Sequence, residues 1–63
     1  MSSHPILYEI QQLYKVSERL DQLAEEHPRI SEALITISGS VRHTATLLEV
    51  VVATKLGPLP EPI

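Results

Sequence analysis

The dipeptide His27–Pro28 separates two long stretches that share one periodicity, and this leaves the chain few ways to fold. Before it, apolar residues recur as Ile6, Ile10, Leu13, Val16, Leu20, Leu23 and Ala24, the spacing of one helix face. Gln11, Lys15, Glu18, Arg19, Gln22 and Glu26 fill the opposite side, while Leu7 and Tyr14 widen the apolar arc. After it, Ile30, Leu34, Ile37, Val41, Ala45, Leu48, Val52 and Leu56 keep an i, i+4, i+7 rhythm. A residue before proline is pushed out of the α region, and proline suits a first helical turn, where its missing N–H would be unpaired anyway. The sequence therefore predicts an all-α antiparallel hairpin: a helix over 5–26, a turn at 27–28 and a helix over 29–56. Residues 1–4 are expected as an N-terminal cap. Gly57 and Pro58 stop the second helix, and 57–63 form a proline-rich arm of extended, polyproline-like character.

The second half has competing readings. "ITISGSV" and "EVVVAT" are rich in β-branched residues, which favour strands. Gly39 lies between two serines and suits a turn, so a break at Ser38–Ser40 is open as well. The long in-phase pattern outweighs both and predicts one helix, longer than the first, with room for a bend near Gly39.

On a wheel of about 100° per residue the second helix carries two stripes. The bulkier one is expected to form the intrachain core, with Ile30, Leu34, Val41, Leu48 and Val52 packing on Ile6, Ile10, Leu13, Leu20 and Leu23. The other, Ala33, Ile37, Ser40, Thr44, Leu47, Val51 and Thr54, combines small and medium side chains that let another helix approach closely. With Val50 added, it is the expected oligomer interface. Helices of about 33 and 42 Å leave the second overhanging at its C-terminal end.

Sixty-three residues allow one domain. A domain this small hides only about 60 % of its unfolded surface and commonly gains support from disulfides, metal or oligomerisation. Disulfides and thiolate zinc are excluded because there is no cysteine. Self-association remains, and two hairpins related by a two-fold axis make a four-helix bundle.

Eight acidic against five basic residues give a net charge of −3. Lys15, Arg19, Arg29, Arg42 and Lys55 are scattered, so no basic stripe for nucleic acid is expected. "MSSHP" lacks a basic, apolar leader, and the longest apolar run is broken by Glu49 well short of the ~20 residues of a membrane span. The expected compartment is the cytoplasm.

Chemistry-bearing residues are sparse. His4, His27 and His43 have no i, i+3 or i+4 spacing, so neither metal nor cofactor is expected. His43 borders the second stripe, where a cross-subunit pair would make association pH-dependent. Glu49 falls beside Arg42 and Ser31 on the expected outer face, Glu25 is spaced to pair with Arg29, and Tyr14 is read as core or interface edge. There is no glycine-rich phosphate loop and no nucleophile constellation. The chain is thus expected to be a non-catalytic, self-associating interaction module and a homodimer. Two other functions stay open: a small subunit or chaperone that binds an amphipathic client helix, and a binder of ligand or nucleic acid that uses the assembled bundle.

Overall fold

A computed structural model describes residues 4–56. Among them are two long helices and no strand: α1 (His4–Glu26) and α2 (Ser31–Val51), joined through a 3₁₀ turn at Pro28–Ile30 and followed by a π-helical turn at Val52–Leu56. The arm expected at 57–63 lies outside the described residues, as do 1–3 of the expected cap, whereas His4 is already helical.

The turn follows from local chemistry. His27, held before Pro28, takes φ −131° and ψ 77°, outside the helical region. Its backbone N–H still donates to the Leu23 carbonyl at 2.9 Å, and its ring Nδ1 lies 3.0 Å from the same oxygen. The backbone bond closes the last turn of α1, and the imidazole sits against the same carbonyl. The Ile30 N–H then donates to His27 O at 3.1 Å, and the Ser31 N–H donates to Pro28 O.

α2 runs through Ser38–Ser40 without a break, and a methyl group added at Gly39 would meet nothing within 4 Å. The glycine marks neither a turn nor a close approach. The strand propensity of the β-branched runs also yields to the amphipathic pattern, whose helical form buries one continuous seam.

That seam differs from the expected one. The buried residues of α1 are Ile10, Ser17 and Ala24, each seven apart, and those of α2 are Ser38 and Ala45, again seven apart. Four of the five are small. Small side chains let the two backbones come close, and that closeness covers them while larger neighbours are left at the flanks. The expected core residues Ile6, Leu13, Leu20, Leu23, Leu34, Val41, Leu48 and Val52 are half-buried, and Ile10 is buried. Ile30 is a correction: placed in the 3₁₀ turn, it points away from the seam and is 51 % exposed.

The short Ser17–Ser38 contact sets the register. Thirteen residues before Ser17 is His4, and thirteen after Ser38 is Val51. The last α-helical residue of α2 is therefore level with the first of α1, and Val52–Leu56 extends beyond it. In this stretch the Thr54 hydroxyl donates to the Val50 carbonyl at 2.8 Å, competing with the backbone for that acceptor.

The Cα trace is only 11 Å deep along its shortest axis. Two helices side by side form a single layer, whereas domains are ordinarily built from two packed layers.

Candidate interaction surface

Three features border the seam: a polar face, an open apolar face and the outer edge of α2. The polar face is closed by bonds between the helices. Arg42 Nη2 donates to Asp21 Oδ2 at 3.0 Å, with both side chains about half exposed. The Tyr14 hydroxyl donates to Glu49 Oε1 at 3.0 Å and lies 3.3 Å from Thr46 Oγ1, whose own proton goes to the Arg42 carbonyl. Glu49, expected on the outer face, is therefore on the side toward α1, because the seam runs through Ser38 and Ala45 and turns α2 accordingly. Asp21 is held below the ordinary carboxylate range, most of all by the nearby Ser38 hydroxyl; desolvation opposes this, and the bond and charge of Arg42 add to the lowering.

These bonds identify the other face. At about 100° per residue, Leu13, Val16 and Leu20 lie on the opposite flank of the α1 seam from Tyr14 and Asp21. Leu34, Ile37, Val41 and Leu48 likewise lie on the opposite flank of α2 from Arg42 and Thr46. The polar flanks meet on one side of the hairpin, so the apolar flanks share the reverse side. Its leucines and Val41 are half-buried, while Val16 and Ile37 are exposed.

The residues expected at an oligomer interface divide between two places. Ile37 belongs to the open face, with Ala33, Thr44 and Val51 along its border. Ser40, Leu47, Val50 and Thr54 turn to the outer edge of α2, away from α1. All eight are exposed. The hydroxyls of Thr44 and Thr54 donate to Ser40 O and Val50 O, so neither is left seeking a partner. The surface is consequently more apolar than its composition implies.

Sequence reasoning missed the inward serines. Ser17 and Ser38 are 0 % exposed and their hydroxyls are 2.7 Å apart. Ser38 also donates to the Ser17 backbone carbonyl at 2.9 Å, which leaves Ser17 as the donor in the hydroxyl pair. The available signal was the heptad recurrence of small residues, Ser17 with Ala24 and Ser38 with Ala45.

His43 is exposed, and among the described residues no three His, Cys, Asp or Glu side chains are grouped to hold a metal ion. An open hollow of about 500 Å³ at the turn is lined by Glu26, His27, Pro28, Arg29 and Ile30. One consecutive stretch forms all of it, so groups from separate elements do not converge there as in a ligand pocket. No described helix is long and apolar enough to cross a membrane. No family model, curated protein or solved structure matches the chain.

Proposed function

We propose that this chain is a non-catalytic helical hairpin that self-associates, two copies stacking into a four-helix bundle, and that it serves as a protein–protein interaction module. One observation carries the reading. In a layer 11 Å deep, the open face presents Val16 and Ile37 at 46 and 50 % exposure beside the half-buried Leu13, Leu20, Leu34, Val41 and Leu48. Monomeric proteins seldom leave contiguous apolar patches beyond a few hundred Å² in water, and a second layer removes the patch. Small chains without disulfides commonly gain stability in this way.

The test is sedimentation equilibrium or light scattering of the pure chain across a concentration series. A helical species of twice the 7.0 kDa chain mass supports the proposal. A helical species that stays at the chain mass throughout refutes it.

The outer edge of α2 favours a second reading, a small subunit or chaperone that binds an amphipathic client helix. Leu47 and Val50 are exposed there, on the side farthest from α1. On this reading the isolated chain is monomeric or polydisperse and becomes uniformly helical when a client helix is supplied.

A further inference from the structure

We infer that the surface joining two copies is the open face of the hairpin, centred on Leu13, Val16 and Leu20 of α1 and Ile37, Val41 and Leu48 of α2, and that the outer edge of α2 stays outside this contact. The inference rests on the self-association proposed above and names the surface that performs it.

Extent is the first argument. α1 is about 34 Å long, and two helices side by side are about 20 Å wide. The face therefore offers on the order of 700 Å² per copy, or about 1,400 Å² for a pair, within the roughly 1,200–2,000 Å² of stable interfaces. The outer edge is one helix wide and offers about half as much.

Width selects the occupant. A single client helix, about 10 Å across, would cover the middle of a two-helix face and leave the Val16 flank or the Ile37 flank in water. A second copy brings a face of equal width, and a two-fold axis lays that face on itself.

Polarity excludes the reverse side. There, beside the exposed Leu7 and Ile35, Arg42 is bonded to Asp21 and Tyr14 to Glu49. Packing a second layer on them would strip water from an ion pair without supplying new partners.

The chain has no cysteine, so single-cysteine variants carry one thiol each. Val16→Cys and Ile37→Cys report on the face, Leu47→Cys and Val50→Cys on the edge. In the hairpin these four positions are nearly equally exposed, at 46, 50, 51 and 51 %. Differences in protection therefore report the assembly. Each thiol is alkylated with iodoacetamide at a concentration where scattering gives the mass, and each rate is divided by its value in urea. The face thiols should react roughly tenfold more slowly than the edge thiols, because contact with the second copy excludes the reagent. A dimer protected at Leu47→Cys and Val50→Cys instead would overturn the face assignment and leave self-association standing. Chain-mass particles with four equally fast thiols would overturn both.

Discussion

The hydroxyl oxygens of Ser17 and Ser38 meet 2.7 Å apart in the seam between the two helices, fully out of solvent. Ser38 gives its proton to the Ser17 carbonyl at 2.9 Å, and Ser17 gives its own to Ser38. The two residues play unequal parts, and this asymmetry can be measured. Ser17→Ala keeps the Ser38 bond to the carbonyl and should cost about 0.5–1 kcal/mol. Ser38→Ala strands the buried Ser17 hydroxyl and should cost about 1–3 kcal/mol. The double alanine variant should cost less than the sum, since no buried hydroxyl is left unpaired. Urea melts followed by circular dichroism at one fixed protein concentration check this. Equal, additive costs would contradict the assigned donor roles.

Gly39→Ala should raise stability by about 1 kcal/mol, because glycine is a poor residue inside a helix and the added methyl group meets open space. The gain should appear as a higher urea midpoint with an unchanged slope. A loss would mean that another molecule approaches closely there, on the side away from the proposed contact face.

Acid should weaken the hairpin partly through Asp21. Its carboxyl is held low by Ser38 first and Arg42 next, so the unfolded chain binds a proton more readily. Stability from this group is fully present above the unfolded carboxyl pKa of about 3.9 and is lost as pH falls through the lower folded value. Melts between pH 6 and pH 2 should therefore show a steeper acid loss for the native chain than for Asp21→Asn. Parallel curves would remove Asp21 from the account. The pair with Arg42 is exposed, so added salt should shrink the difference.

Tyr14→Phe tests the polar face. It deletes an exposed hydroxyl bond to Glu49 and keeps the ring, so the expected cost is at most about 0.5–1 kcal/mol. Chain mass in solution should be unchanged, because this side is not proposed to meet a second copy. Light scattering showing dissociation by Tyr14→Phe would move the interface to the polar side.

The two helices and the turn were legible in the residues. Apolar spacing from Ile6 to Ala24 and from Ile30 to Leu56 has helical period, and His27 before Pro28 cannot continue a helix. The rotation of each helix about its axis was much less legible. Hydrophobicity ranks Leu13, Leu20 and Leu48 as the centre of a core, yet the centre is Ser17, Ala24, Ser38 and Ala45. A wheel weighs residues by transfer free energy, whereas two packed helices also select for size at the line of closest approach. The same rotation brought Glu49 and Arg42 toward α1, while the 3₁₀ turn left Ile30 exposed.

The sequence by itself determined that this chain is a helical hairpin and that its second helix carries more apolar surface than one partner helix covers, because periodicity and proline act locally. Only the tertiary structure decided which residues touch, that one face is sealed by polar bonds and that the reverse face is open. Those outcomes depend on how closely two backbones can approach, a property of both helices together that neither carries alone.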